Sequence, residues 1–594
     1  MKKLLDCIAA ELAPCFEACG YDRSYARVTL SNRPDLCEYQ CNGAMAAAKA
    51  YKKKPIDIAG EVVSKLSGNP MFSEMNAVMP GFINIRLDSA WLAEYLNGMA
   101  AEEKLGVEEI GAGETIIVDY GGANVAKPLH VGHLRSAIIG ESIKRIGRFL
   151  GYHMVGDVHL GDWGLQMGLI IEELRDRKPE LPYFDGKVKE EGEYPKEAPF
   201  TISELEDIYP AASKKSKEDE VFKNRAQEAT FKLQSGYAPF RAIWKHIMDV
   251  SLADLKKNYG NLGVTFDLWK GESDAEPYIP GLIQDLQDKG LAYESQGALV
   301  VDISEESDSK ELPPCIIRKS DGAALYATSD LGTIIEREKE FSPSKYIYIT
   351  DKRQELHFIQ VFRVAKKAGY VKTDTDMVHL MFGTMNGKDG KPFKTREGGI
   401  MRLEDLIQEI NEAVYARIME NRTVSQEEAR KTAGVIGLAA LKYGDLSNQA
   451  SKDYIFDLER FISFEGNTGP YILYTIVRIK SILSKYQEMT GKSPEDGKEE
   501  VILPAASEAE KGLMLQLTKY NEVIEASFGE TAPHKICQFI YELSDVFNKF
   551  YNSVMILKEE DASRQGSYIR LISLTKRVLE TCIDLLGFEA PERM

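Results

Sequence analysis

Thr115-Ile116-Ile117-Val118-Asp119-Tyr120-Gly121-Gly122-Ala123-Asn124-Val125-Ala126-Lys127-Pro128-Leu129-His130-Val131-Gly132-His133 opens as a β-branched run, turns on paired glycines and enters a helix after Pro128. That helix carries Ile139, Ile143, Ile146 and Leu150 on one stripe and stops at Gly151, and Met154-Val155-Gly156-Asp157-Val158 starts a second strand. Strand, helix and strand within about 45 residues form a βαβ unit, which predicts a parallel sheet with a right-handed crossover. Open parallel sheets bind ligands at the carboxyl ends of their strands, where helix N-termini point. The turn lacks both the G-x-G-x-x-G fingerprint and the Walker A pattern, so neither a Rossmann dehydrogenase nor a P-loop ATPase is supported. It carries His-x-Gly-His instead. Two imidazoles three residues apart share one face of a first helical turn, and the glycine between them admits a flat base or a phosphate to the backbone. Such donors could stabilise a pentacoordinate α-phosphate. A capping pair of structural histidines, or two metal ligands lacking a third, are the alternatives at this point.

Outward from that turn the chain changes character twice. Residues 1–110 read as a small α+β unit, with helical spacing from Lys3 to Ala13 before Pro14 and a second helix to Leu66 begun by Pro55. Phe82-Ile83-Asn84-Ile85-Arg86-Leu87 alternates as a half-exposed strand does. Residues 111–400 read as the parallel α/β core, with further β-rich runs at Lys345–Thr350 and Val378–Phe382 and a charged surface insertion around residues 175–240. From about Arg402 the period is helical: residues 401–460 form a connecting region and residues 461–594 an all-α tail. Within the tail, Ser507 to Phe528 reads as one helix, and Tyr568 to Leu585 as a last helix closed by Gly587.

The 594 residues are 44% apolar and 28% charged, which is globular composition, and no apolar run reaches the length of a membrane span. Met-Lys-Lys-Leu-Leu hints at a signal peptide, but Asp6 and Glu11 interrupt it, so an amphipathic first helix and a cytoplasmic protein are expected. The net charge of −18 excludes a uniformly basic coat but leaves local clustering open. Five of eight cysteines (Cys7, Cys15, Cys19, Cys37, Cys41) fall early, without C-x2-C spacing or a nearby histidine, and read as reduced thiols rather than a zinc site.

His130-Val131-Gly132-His133 resembles the His-Ile-Gly-His motif of class I aminoacyl-tRNA synthetases, and the string from Asn124 to Ser136 is similar to the arginyl-tRNA synthetase family in particular. Gly161-Asp162-Trp163-Gly164-Leu165-Gln166, Leu325-Tyr326-Ala327-Thr328-Ser329-Asp330, Phe393-Lys394-Thr395-Arg396 and Phe464-Glu465-Gly466-Asn467-Thr468-Gly469-Pro470-Tyr471 follow in that family's order, as does Asp584-Leu585-Leu586-Gly587 with the closing Glu592-Arg593-Met594. The resemblance implies an α/β fold: a Rossmann-like class I catalytic core, an N-terminal domain contacting the tRNA D-loop, and an all-α anticodon-binding domain. It implies ligation of L-arginine to tRNA(Arg) with ATP and Mg²⁺, through an arginyl-adenylate, by a monomer without a structural metal. Another class I synthetase, such as a cysteine-specific one, and an inactive RNA-binding paralogue remain the alternatives.

Carried across by position, His130 and His133 would hold the ATP phosphates, with Pro128 and Gly132 shaping that site. Asn124 and Asp119 would contact the α-amino end of arginine, and Tyr326, Asp330 and Gln354 would line its side-chain pocket. A guanidinium wants a planar carboxylate fork, which Asp330 can supply. Read alone, Asp119 and Asp330 are as consistent with solvated or capping carboxylates.

The loop that usually reads Lys-Met-Ser-Lys in class I departs from the pattern, with Pro392 at the first lysine and Thr395 at the last. Many members of the family place a substitute lysine near the first motif, which Lys127 matches; Lys394, Lys391 and Arg396 are further candidates, against a solvated basic hairpin. For tRNA, Phe82 and Asn84 share a strand face, and the family stacks and hydrogen-bonds a D-loop base with such a pair; Phe82 as a core residue is the alternative. Tyr471, Tyr474, Arg478, Lys480 and Lys485 interleave rings with cations after the Glu465-to-Tyr471 loop, which carries the further tRNA candidate Asn467, in a way that suits an anticodon loop.

Overall fold

A strand as apolar as Thr115–Asp119 needs cover on both faces, as the interior of a parallel α/β sheet provides. In the computed structural model, which describes residues 1–320, 324–393, 401–421, 424–493 and 501–594, that strand (β1) has Ile116 to Asp119 buried. The helix α1 (Val131–Phe149) leads to β2 (His153–Asp157), and α2 (Tyr326–Phe341), β3 (Lys345–Asp351), α3 (Glu355–Ala368) and β4 (Asp376–Phe382) complete the core. The order is β4-β3-β1-β2, all parallel, with Asp119 opposite both Asp157 and Tyr348. Because β2 lies on one side of β1 and β3 on the other, the winding reverses at β1, and a crevice opens at the carboxyl ends of β1 and β3.

The long connection from β2 to α2 holds five helices of ten or more residues and a three-stranded antiparallel sheet of Ala292–Ser295, Ala298–Val301 and Cys315–Arg318. The charged segment read as surface insertion is largely helical, over Ile202–Glu218 and Glu220–Gln234. Leu205, Ile208, Ala212, Phe222 and Ala226 give it a buried face beneath the lysines and glutamates. Residues Ile110–Ser463 and Leu585–Phe588 form one compact unit. In it the short final segment is tied by Ser142 Oγ to the Leu585 carbonyl at 3.0 Å and by the buried Lys442 Nζ to the Gly587 carbonyl at 2.6 Å.

The second unit combines Met1–Glu109 with Phe464–Asp584 and Glu589–Met594. Its four-stranded antiparallel sheet (Val28–Leu30, Tyr39–Cys41, Phe82–Leu87, Phe72–Val78 in spatial order) packs with the helical tail. Asn97 donates to and accepts from the backbone of Ile502, both at 2.9 Å, Asn521 donates to Gly106, and Lys511 pairs with Glu38 at 2.6 Å. Two sequence expectations need correction. The first helix does not stop before Pro14 but runs Leu4–Ala18, because burial of Phe16 outweighs the one amide hydrogen bond that the proline removes. Ser507 to Phe528 is two helices, Glu508–Leu517 and Tyr520–Gly529, with the break at Thr518 and Lys519 letting Tyr520 turn inward. Among the described residues, no helix is long and apolar enough to cross a membrane.

Candidate active site

Helix α1 begins on His130, and its first turn settles the chemistry of both imidazoles. His130 Nδ1 accepts the Gly132 amide at 3.0 Å, and His133 Nδ1 accepts the His130 amide at 3.2 Å, a reciprocal capping box. With each Nδ1 an acceptor, the proton of each neutral ring sits on Nε2. Burial, reinforced by the Lys127 charge, holds His130 below the usual imidazole range; burial and the neighbouring His130 take His133 down to about 3. The pair are therefore neutral Nε2–H donors. Their ring centroids lie 4.0 Å apart. A Cβ at position 132 would fall 2.7 Å from His130 Cε1, so only glycine leaves that ring in place.

These rings open into a cavity of about 910 Å³ at the sheet's switch point. Of the residues expected in the site, Asp119, Asn124, His130, Gly132, His133, Tyr326, Asp330 and Gln354 all line it. Asn124 pairs across to Gly161, where a Cβ would lie 2.3 Å from the Asn124 Oδ1. Pro128 and Lys391 are not among its lining residues, although Pro392 and Phe393 are. Lys127 is absent from the lining too: its Nζ sits 4.6 Å over the ring of Tyr209, on the helix Ile202–Glu218. Lys394 and Arg396 lie outside the described residues.

Asp119 is not simply exposed to the cavity. The buried Arg337 guanidinium donates to Asp119 Oδ2 at 2.6 Å, to Asp157 Oδ2 at 2.7 Å and to the Tyr348 hydroxyl at 3.2 Å. Burial pushes the Asp119 carboxyl up against the pull of Arg337, whereas at Asp157 the pull of Arg337 and His159 wins over burial.

Three further groups at the cavity escaped the sequence reading. His159, just after β2 at φ +37°, points Nε2 to Asp330 Oδ1 at 3.6 Å. His357, in the first turn of α3, reaches Asp330 Oδ2 at 2.5 Å. Glu272 lines the same wall, and burial raises its carboxyl to about 7. Burial would lower His159, but the carboxylates of Asp119 and Asp330 outweigh it and hold its proton. The one available signal was adjacency, since His159 precedes the Gly161-to-Gln166 block.

In the second unit, Phe82 and Asn84 lie on the half-exposed face of their strand, opposite the buried Ile83, Ile85 and Leu87. Asn84 accepts from Gln40 at 2.9 Å. Arg478 stacks on Tyr474 and Tyr551, at 4.7 and 5.2 Å, and donates to Asn548, which donates in turn to the Tyr471 hydroxyl. Asn467 lies directly before Thr468, the cap of helix Gly469–Thr490. Lys480 is held by Glu580 and Glu592.

A four-stranded parallel sheet with paired imidazoles capping its first crossover helix and a nucleotide-sized cavity at its switch point defines a class I aminoacyl-tRNA synthetase. In agreement, residues 96–458 match the profile described as "tRNA synthetases class I (R), catalytic domain". Residues 2–87 match the arginyl tRNA synthetase N-terminal domain and residues 472–594 the DALR anticodon binding domain. The chain is 59% identical to an arginine–tRNA ligase of Agathobacter rectalis and 55% identical to one of Alkaliphilus oremlandii, each match covering all of both chains. It belongs to the arginyl-tRNA synthetase family. The fold is shared over the full length of both chains with the Plasmodium falciparum and Thermus thermophilus arginyl-tRNA synthetases, at TM-scores of 0.81 and 0.78 and identities of 24% and 22%.

Removing Arg337 leaves two buried carboxylates facing each other across β1 and β2. Arg337→Met should cost about 3–5 kcal/mol of stability, the loss typical of an uncompensated buried charge. Three of the four tryptophans, Trp163, Trp244 and Trp269, lie in this unit, so the urea midpoint of tryptophan fluorescence measures it. An unmoved midpoint would show that the two carboxylates do not need the cation.

Proposed function

We propose that this protein ligates L-arginine to tRNA(Arg) in two steps at the switch-point cavity. The observation that carries this reading is the convergence of two Nε2–H imidazoles and the acidic slot of Asp330 and Glu272 on one cavity. In the first step an oxygen of the arginine carboxylate attacks the α-phosphorus of ATP. A P–O bond forms, the α–β bridging bond breaks, and pyrophosphate leaves arginyl-adenylate behind. In the second step the 2′-hydroxyl of the terminal adenosine attacks the acyl carbon and loses its proton as AMP departs.

His130 and His133 donate to the α-phosphate oxygens as charge gathers there, and being neutral they do so without holding ATP too tightly in its ground state. Gly132 lets the phosphates approach the helix N-terminus, and Pro128 sets the chain entering it. Lys127 leaves the Tyr209 ring to supply the ammonium that the degenerate loop lacks, with Lys391, Lys394 and Arg396 neutralising the pyrophosphate side. Mg²⁺ arrives on the ATP phosphates as part of the substrate. Asn124 and the oxygen of Asp119 not held by Arg337 take the α-amino group. Tyr326 and Gln354 border the side chain, whose guanidinium meets Asp330 and Glu272. Phe82 and Asn84 stack on and hydrogen-bond a D-loop base, and Asn467, Tyr471 and Arg478 receive the anticodon loop. The enzyme acts as a monomer in the cytoplasm, where its substrates are.

Pyrophosphate exchange with each of twenty amino acids, with and without tRNA, tests the reading directly. Exchange specific to arginine is expected, and exchange driven by another amino acid would refute it. His133→Ala should slow adenylation by about 10²-fold or more, the usual cost of losing one transition-state donor; an unchanged single-turnover rate would remove the imidazole from the mechanism. Arginine binding should also follow pH. Glu272 gains its charge near neutrality while His159 loses its own with rising pH, so both changes favour a guanidinium. KM for arginine should fall several-fold between about pH 6 and about pH 8 while KM for ATP, resting on neutral imidazoles, holds level. A KM for arginine that rises with pH would contradict the assignment of the slot.

A further inference from the structure

Asp330 sits in the first turns of α2 with each carboxylate oxygen already addressed by an imidazole. His357 Nε2 donates to Oδ2 at 2.5 Å, and His159 Nε2 stands 3.6 Å from Oδ1. The first contact joins the N-terminal turn of α3 to the second turn of α2, and both rings line the cavity into which the carboxylate faces. The imidazole of His357 is itself fixed edge-on against Phe358, at 5.0 Å and 87°. A carboxylate has about four acceptor positions; His357 occupies one and His159 faces another across 3.6 Å, so at least two remain for a ligand, in directions set by how the group is rotated. A guanidinium is a rigid planar fork that gains a second hydrogen bond only from a carboxylate held nearly coplanar with it.

We infer that His357 is a positioning residue for arginine selection, fixing the plane of Asp330 so that its free lone pairs meet both arms of the guanidinium. The inference rests on the arginine-ligating function proposed above. His357 takes no part in the chemistry at phosphorus: its partner is the carboxylate, not the nucleotide. Losing it therefore weakens arginine binding and leaves ATP binding alone. A histidine serving only to hold α2 against α3 would, when removed, disturb both.

The test compares His357→Ala and His357→Gln with the unaltered full chain in arginine-dependent pyrophosphate exchange with tRNA present. Glutamine can place its own Nε2 donor near the position of the imidazole Nε2. For His357→Ala, KM for arginine should rise about tenfold, the scale of one charge-assisted hydrogen bond, with kcat within about threefold and KM for ATP unchanged. His357→Gln should return KM for arginine to within about threefold of the unaltered enzyme. An unchanged KM for arginine in His357→Ala, a KM for ATP rising in step with it, or a glutamine variant no better than alanine would each overturn the inference. Failure of the unaltered protein to use arginine at all would instead bring down the proposed function, and this inference with it.

Discussion

Two carboxylates at the ends of neighbouring parallel strands cannot stay buried and ionised without a cation between them. Asp119 and Asp157 are opposite one another in the β1–β2 register, and Arg337 supplies that cation from α2. The pairing sets more than local neutrality. Arg337 lies seven residues beyond Asp330, two turns along one helix face. Anchoring the guanidinium at the strand ends therefore anchors Asp330 over the cavity, with Tyr326 one turn earlier at its mouth. Asp330 is positioned from beneath, by a buried residue that is not among those lining the cavity.

The opposite wall is held by different means. Ser136, on α1, accepts the Gly121 amide at 2.9 Å and donates to the Ile349 carbonyl at 2.7 Å, stitching the glycine turn to β3. Arg135, one residue earlier and fully buried, pairs with Asp445 and donates to the carbonyls of Gly383 and Lys452. The helix that begins with the imidazoles thus fastens the ends of three strands in its first two turns.

What could be read from the sequence was whatever is local. The βαβ unit, the His-x-Gly-His turn and the β-rich run of β3 each announce themselves within a few residues, because strand burial, capping and crossover length are short-range constraints. His159, Glu272 and His357 could not be found that way. Each sits on a separate element, and Asp330, which both histidines face and with which Glu272 shares the cavity lining, is 171, 58 and 27 residues away from them in turn. Lys127 shows the converse: its position relative to the motif was legible, but not the Tyr209 ring it rests on, since that ring belongs to a helix inserted after β2. The three-stranded sheet after that insertion went unread because its strands are four residues each and half exposed at the edge, too short for a period to show.

The capping box at His130 and His133 makes one pair of rings part of the scaffold while both still line the cavity. Each Nδ1 is spent on a backbone amide, and only the far nitrogen of each ring is left free of the backbone at the cavity. A replacement at either position has to satisfy both demands at once: it must accept from the helix start and still hold a hydrogen outward about two bonds further on. Asparagine can cap but falls short of the cavity; lysine can reach the cavity but leaves the amide bare. The tolerance of this turn to amino-acid exchange is accordingly narrower than the cavity alone would impose, and a variant that loses its outward donor there loses part of its architecture in the same stroke.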